Sequence, residues 1–508
     1  MGSAGRAANL PFMEDVHTAE REPPHSSDRI SQASWTGPLF LAGSLFALTY
    51  AGGALSTESL QLFLVFVAIT VAAFFALFLE RPAYIVPTLV VTVPLEIWKA
   101  FFPFWRVDAR PDLPPTSLID LSRLLLLAAL AAIASSALLR RRTSIPRHNA
   151  VRWAVLLLAF SALSAVLITP SPTRGLIETL RLATHVVVLI VTCRLLTSTR
   201  RIELALQALV ACVLGLSCIA LIQFVAAAVG LSAGALANFR AAATVFDPNI
   251  LARYLAIGIV VSTVLLTSGR MTRGVLITTA VAASVSLLLT LSRSGWLLVL
   301  LGCAMVWWWS KGMARRRVTV ACLVLLGGMW VVSASLPAVS SRFGTLALGL
   351  GALGSRVALI DTGIRIFRDH LLLGAGLGSF QAVALAQYPA YLPFGGTYVT
   401  LSHTALVTIA AELGLPGLAL TTFLLIALFR SFRTSTRSAT PAARSYAVSA
   451  FMAVVLILVS AQAEGRLFED PMFWIFAGVL VSIERVVGVG GPAPHREQQW
   501  QVTSLPPP

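Results

Sequence analysis

Residues 204–230 read LALQALVACVLGLSCIALIQFVAAAVG, a run without a single charged side chain. Wound as a helix at about 1.5 Å per residue, roughly 20 apolar residues cross the hydrocarbon core of a bilayer, so this run is long enough to span one. Similar runs recur near 37–55, 58–79, 82–101, 117–139, 150–169, 176–196, 249–267, 272–291, 294–310, 317–336, 402–429, 445–463 and 471–487, fourteen in all. The third is interrupted by Pro87 and Pro94, and the pair flanking Ser292–Gly295 reads either as two spans or as one long broken helix. Over all 508 residues the chain is 57% hydrophobic and only 12% charged, with a mean hydropathy of +0.83. A soluble protein carries about a quarter charged residues, so that class is excluded. The expected fold is an all-α polytopic transmembrane bundle of about 12–14 spans, to which the usual domain-length rule does not apply.

The polar segments divide the chain. Residues 1–34 hold no apolar run and read as a disordered tail rather than a cleaved signal peptide; 488–508, rich in Gly and Pro, read the same way. Between them lie N-terminal transmembrane helices over 35–200 and a core over 201–487 that includes one long loop, 337–401. Lys and Arg number 38 against 22 Asp and Glu, a net charge of +16. In a soluble protein that excess would suggest nucleic acid. Here the basic residues cluster between spans, as in Arg140–Arg142, Arg315–Arg317 and Arg430/Arg433/Arg437, all on one side. The positive-inside rule then sets both termini in the cytoplasm and the 337–401 loop on the outer face. Cys193, Cys212, Cys218, Cys303 and Cys322 lie in or at the ends of apolar runs, which predicts neither a disulfide nor a CxxC metal site.

Polar residues collect at the outer ends of the spans. Asp247-Pro248-Asn249 opens the eighth: Pro248 suits a first helical position, and Asp247 reads either as a plain N-cap or as a site residue. Arg240, just upstream, has no topological purpose at an outer face and calls for a polar partner. In Ser292-Arg293-Ser294-Gly295, Arg293 either snorkels to headgroups or forms an anion clamp, since a guanidinium fork matches phosphate oxygens. The long loop, the place to look first for chemistry, shows weak helical patterns near 354–370 and 379–388, separated by Gly374-Ala-Gly376-Leu-Gly378. Lacking a preceding strand and βαβ context, those glycines are no dinucleotide fingerprint; they suit backbone that passes close to a neighbour or ligand. Arg356, Arg365 and Arg368 read as a solvated face, with Arg356 alternatively aimed into a site. His403 opens the twelfth span, with Glu412 further along; a histidine there is interfacial or, among arginines, a candidate base. Glu178 and Arg181 read as an i,i+3 pair, and His185 as a helix–helix hydrogen bond. No ligand spacing suggests a metal, and no Walker motif or other cofactor site is present, so an activated substrate or a gradient must supply any energy.

In order and sidedness, Asp247-Pro-Asn249, Ser292-Arg293-Ser-Gly, Asp369-His-Leu-Leu-Leu-Gly374-Ala-Gly376, His403 and Glu412-Leu-Gly414-Leu-Pro-Gly417 resemble the O-antigen ligase and polymerase superfamily over about residues 200–430. The resemblance implies a glycosyltransferase of the bacterial inner membrane that works without metal or cofactor. Its partners would be an undecaprenyl-pyrophosphate-linked glycan donor and, on the periplasmic face, a lipid A-core or second lipid-linked glycan acceptor; nucleic acid is not among them. It further implies that Arg240, Arg293 and Arg356 engage the pyrophosphate and that His403 acts on the acceptor hydroxyl, with inversion at the anomeric carbon. Asp247, Asn249, Gly374, Gly376 and Glu412 would support them. The family's His-Asn opening is His403-Thr404 in this chain. All of this requires Arg240, Arg293, Arg356 and His403 to converge on one hollow at the outer rim. The chief rival is a transporter or flippase of lipid-linked oligosaccharide; the absence of an internal repeat and the gathering of polar residues at one face weigh against it. A non-catalytic envelope scaffold, the third reading, finds no amphipathic or coiled-coil pattern in the tails.

Overall fold

The computed structural model describes residues 34–95, 121–140, 146–230, 240–245, 247–269, 271–310, 312–335, 350–393, 401–437, 440–465 and 467–489. The predicted tails fall almost wholly outside these. The described elements are helices: α1 (Thr36–Glu58), α2 (Leu60–Glu80), α3 (Ile85–Thr92), α4 (Leu121–Arg140), α5 (Asn149–Leu167), α6 (Pro172–Leu195), α7 (Thr199–Ala228), α8 (Pro248–Ser268), α9 (Arg273–Leu289), α10 (Arg293–Trp309), α11 (Gly312–Ser335), α12 (Leu350–Asp369), α13 (Phe380–Gln387), α14 (Ala405–Thr436), α15 (Pro441–Glu464) and α16 (Pro471–Val489).

Helices therefore stand at every predicted span. Among the described residues, seven are individually long and apolar enough to cross a bilayer: Gln61–Glu80, Asn149–Leu167, Pro172–Leu195, Thr199–Ala228, Pro248–Leu266, Ala405–Thr436 and Pro441–Glu464. Pro82–Thr92, Leu121–Ser136 and Arg273–Leu289 are apolar but shorter. The third predicted span enters through a tight turn, Pro82–Tyr84, and among its described residues, 82–95, the stretch Ile85–Thr92 is α-helical. The break at Ser292 is real, so the two-span reading holds: Leu291 takes φ +49°, and Ser292 is extended and caps α10 by accepting from the Gly295 N–H at 3.3 Å.

Helix starts follow their sequences. Pro172, Pro248, Pro441 and Pro471 each occupy a first helical position, where the missing N–H costs nothing. Ser59 and Ser198 cap α2 and α7 through side-chain oxygens. Among the spans, α8 is central and packs on α7, α9, α10 and α15. Small residues allow the approach: a Cβ on Gly258 would lie 2.4 Å from a Val213 methyl, and one on Gly302 2.3 Å from a Val260 methyl. Outward-facing apolar residues such as Leu62, Val65 and Ile69 of α2, or Ile222 and Val225 of α7, form the surface a lipid phase would cover.

The predicted loop helices appear as α12 and α13, followed by a turn at Pro389–Tyr391. They carry a small core of their own, in which Leu359, Ile366, Phe380, Val383 and Tyr388 pack with Ala411 of α14. The bundle end that bears this unit holds the starts of α6, α8, α10, α14 and α16 and the ends of α5, α7, α9 and α15.

Candidate functional site

Helix α14 is broken where it meets the loop. Gly414 sits at φ +61°, ψ −156°, and Pro416 follows. Into the break fits the glycine turn. The Ala375 N–H donates to the Ala411 carbonyl (2.9 Å), the Gly376 N–H to the Glu412 carbonyl (3.0 Å), and the Leu415 N–H to the Leu371 carbonyl (3.0 Å). Groups that the broken helix leaves unpaired are thus satisfied by the loop, as buried backbone requires. Gly374 and Gly376 both hold positive φ. A Cβ at Gly374 would lie 2.3 Å from the Glu412 carbonyl oxygen, and one at Gly376 2.4 Å from Thr169 Cα. The close-approach reading of these glycines matches this geometry, with the protein's own backbone as the neighbour. Glu412 completes the joint: Oε2 accepts from the Gly378 N–H and Oε1 from the Phe380 N–H, each at 3.0 Å. Its carboxylate positions the start of α13.

A second group forms where α8 and α10 begin. Asp247 caps α8, accepting from the Asn249 N–H at 2.7 Å, and is exposed, so the plain-cap reading describes it. Asn249 Oδ1 accepts from both Arg240 Nη2 and Ser292 Oγ at 2.9 Å, and Arg240 Nε donates to the Thr290 carbonyl at 2.8 Å. Three sequence-distant motifs therefore meet at one point. Arg293, the next residue after Ser292 and the first of α10, is exposed. A helix start is where amide groups and dipole favour an anion.

One turn along α8 from Asn249, the buried Arg253 donates to Glu464 Oε2 (2.6 Å) and pairs with Asp470 Oδ2 (3.2 Å); Ser460 Oγ donates to the other Glu464 oxygen (2.9 Å). The following residue, Gly465, has φ +78°, and a Cβ there would lie 3.2 Å from the His403 backbone. His403 itself is half-buried at φ +58°, two residues before α14 begins. The backbone on its two sides is tied down: Ser402 Oγ and Thr408 Oγ1 are 2.8 Å apart, and Thr404 Oγ1 donates to the Gln462 carbonyl at 3.3 Å.

Beside His403 opens a cleft of about 980 Å³, solvent at its mouth included, between α6, the glycine turn, α13, the start of α14 and the α15–α16 turn. Leu401, Ala405 and Gly465 line the side nearest His403; Arg174, Glu178, Arg181, Gln381, Phe468 and Glu469 line the rest. Arg181 Nη1 lies 2.9 and 2.8 Å from the two Glu178 oxygens and 3.2 Å from Glu469, so the predicted pair is present and extended by a second acid. His185 bonds to the Phe468 carbonyl at 2.7 Å, in the turn between α15 and α16 rather than on a neighbouring helix.

None of Arg240, Arg293, Arg356 and His403 is among the described residues that line this cleft. Arg240 and Arg293 share the α10 start. His403 flanks the cleft. Arg356 lies exposed on α12, as on a solvated face. Nearby, Arg365 pairs with Asp361 (2.8 Å) and stands over the Tyr391 ring (3.9 Å), and the bond to Asp361 raises its pKa. Tyr388 donates to Asp369; burial, then that bond, pushes the phenol up to about 12. Sequence reasoning missed Arg253, Arg174 and Gln381. For Arg253 a signal existed: an arginine inside an apolar run, one turn after Asn249, is a candidate by default.

Residues 278–422 match a family model described as O-antigen ligase. The matched stretch runs from α9 into α14 and contains Ser292, Arg293, Arg356, the glycine turn, His403 and Glu412; Arg240, Asp247 and Asn249 precede it. Comparison of the chain with curated proteins gave no match.

Proposed function

We propose, on the premise of the O-antigen ligase domain at residues 278–422, that this multi-pass membrane protein transfers a glycan from a polyprenyl-diphosphate donor to an acceptor hydroxyl. The reaction takes place at the bundle end that bears α12 and α13, the periplasmic face of a bacterial inner membrane. The observation that carries the reading is the meeting of Arg240, Asn249 and Ser292 beside Arg293 at the start of α10, at the same end as His403.

In this reading the diphosphate lies against the α10 start. Arg240 is held rigidly by Thr290 and Asn249, and Arg293 projects from the first turn. Charge builds on the departing phosphate as the anomeric C–O bond breaks. A fixed donor aimed at it in a water-poor setting is worth about 100–1000-fold in rate. The acceptor oxygen forms the new C–O bond from the opposite side, inverting the anomeric carbon, and its proton passes to the His403 imidazole. The polyprenyl chain rests on the apolar flanks of the bundle.

The test uses purified protein in nanodiscs with a lipid-linked donor and a glycan acceptor. Wild type is expected to form covalent product, and His403→Ala, expressed at the wild-type level, to form none. Normal product from His403→Ala removes the base, and movement of donor across the membrane without transfer replaces the enzyme by a flippase.

A further inference from the structure

The cleft beside His403 does not suit a diphosphate. Two guanidinium groups, Arg174 and Arg181, face three carboxyl groups, Glu178, Glu412 and Glu469. Both cations are already engaged, Arg181 between Glu178 and Glu469 and Arg174 by Gln381 Oε1 at 2.8 Å. Glu412 is turned onto the Gly378 and Phe380 amides. A phosphate entering here would meet like charge without a surplus cation to offset it, and like charges at short range are strongly unfavourable where water is scarce.

Sugar hydroxyls meet the same surface differently. Each hydroxyl donates once and accepts twice, so a pyranoside can accept from Arg174 or the Gln381 amide while donating to a Glu178 or Glu469 oxygen. Leu401, Leu467 and Phe468 offer an apolar wall to the C–H face of the ring. The lining includes Leu401 and Ala405, which bracket His403 in sequence, and Gly465, where a Cβ would lie 3.2 Å from the His403 backbone. A hydroxyl of a sugar seated here is on the side of the molecule where the proposed base stands. The arginines of the α10 start take no part in the lining.

We propose that this cleft is the acceptor subsite, that it takes an uncharged pyranoside through Arg174, Glu178, Gln381 and Glu469, and that its acidic balance rejects phosphorylated acceptors. The inference rests on the glycan-transfer reading and adds to it the chemical class of the acceptor.

The experiment has a binding arm and a kinetic arm. Saturation-transfer NMR on the full-length protein in nanodiscs compares a neutral disaccharide with its phosphomonoester; the neutral sugar is expected to give signal and the phosphomonoester none. Gln381→Ala, a change on a half-buried helix face, is expected to raise the acceptor KM about tenfold, equivalent to about 1.4 kcal/mol, and to leave the donor KM unchanged. Glu469→Gln is expected to admit the phosphomonoester. Equal binding of both sugars by wild type, or an unmoved acceptor KM in Gln381→Ala, overturns the inference. Binding of the neutral sugar without any transfer by wild type supports the subsite and refutes the transferase reading instead.

Discussion

Replacing Gly374 by alanine tests the joint between the loop and α14 at its tightest point. The residue holds φ +76°, and the new Cβ would stand 2.3, 2.4 and 2.5 Å from the Glu412 oxygen, the Glu412 carbonyl carbon and the Leu413 nitrogen. All three are backbone atoms, so no side chain can swing aside. A left-handed conformation costs an alanine about 1–2 kcal/mol. Forcing extra volume into a packed site adds about 1–3 kcal/mol. Together they put the penalty at about 2–5 kcal/mol, and 2 kcal/mol alone shifts the folded-to-unfolded ratio by about 30-fold. Relief would require the turn to lift off α14, breaking the Gly376-to-Glu412 and Ala375-to-Ala411 bonds. The matching control is Gly354→Ala in α12, where a Cβ meets nothing within 4 Å and φ is not positive; there, alanine should stabilise by roughly 0.5–1 kcal/mol. Fluorescence-detected size exclusion after heating reads both: Gly374→Ala should lose its monodisperse peak at markedly lower temperature than wild type, and Gly354→Ala should not. Indistinguishable curves for Gly374→Ala and wild type would refute the close-approach account.

Three further outcomes are expected. Glu412→Gln keeps one acceptor for the two amides, so it should weaken the joint by about 1.5–3 kcal/mol, the worth of a hydrogen bond to a charged group; hydrogen exchange at Gly378 and Phe380 should rise, and rise further in Glu412→Ala. Tyr388 has its phenol raised from 10.0 to about 12, so its contribution is complete below pH 10 and is lost as pH climbs towards 12; the 295 nm titration of wild type minus Tyr388→Phe should show one phenol ionising near 12, and a difference step near 10 would contradict this. Arg240→Lys cannot span the Thr290 carbonyl and Asn249 Oδ1 with a planar fork, so donor KM should rise about tenfold with acceptor KM unmoved, equivalent to about 1.4 kcal/mol.

Span positions were legible because hydropathy is a local property. Runs such as 150–169 and 249–267 became α5 and α8 to within a few residues. The turns were harder. Leu291 at φ +49° carries no glycine to announce it, and the separation of α9 from α10 became visible only through the Ser292 cap. Asn249 and Glu412 were singled out from the sequence, yet their partners were not, because each partner lies far along the chain: Ser292 for one, the Gly378 and Phe380 amides for the other. Arg253 shows the same limit. Its acid, Glu464, is 211 positions away, and nothing local marks the two as neighbours. Arg356 sits in a motif of the right order, but the amphipathic face of α12 turns it to the exterior while Leu359 and Ile366 turn inward.

What separates the arginines functionally is the company each keeps. Two of them are matched to acids: Arg181 to Glu178 and Glu469, Arg253 to Glu464 and Asp470. A buried cation so matched is a structural tie, since removing one partner costs about 3–5 kcal/mol while the intact pair adds little net attraction for an incoming anion. Arg240 donates to the Thr290 carbonyl and to the Asn249 side-chain oxygen, which fix its direction. Arg293 adds a second positive charge on the adjoining helix turn. Asn249 and Arg253 lie a single turn apart on α8, so one helix both orients the Arg240 guanidinium, through Asn249, and carries the acid-matched Arg253. In the proposed reading the diphosphate meets Arg240 and Arg293 at the α10 start while the acceptor hydroxyls meet the cleft lined by Arg181 and its two acids, and His403, whose backbone lies against Gly465 at that cleft, serves the hydroxyl rather than the phosphate.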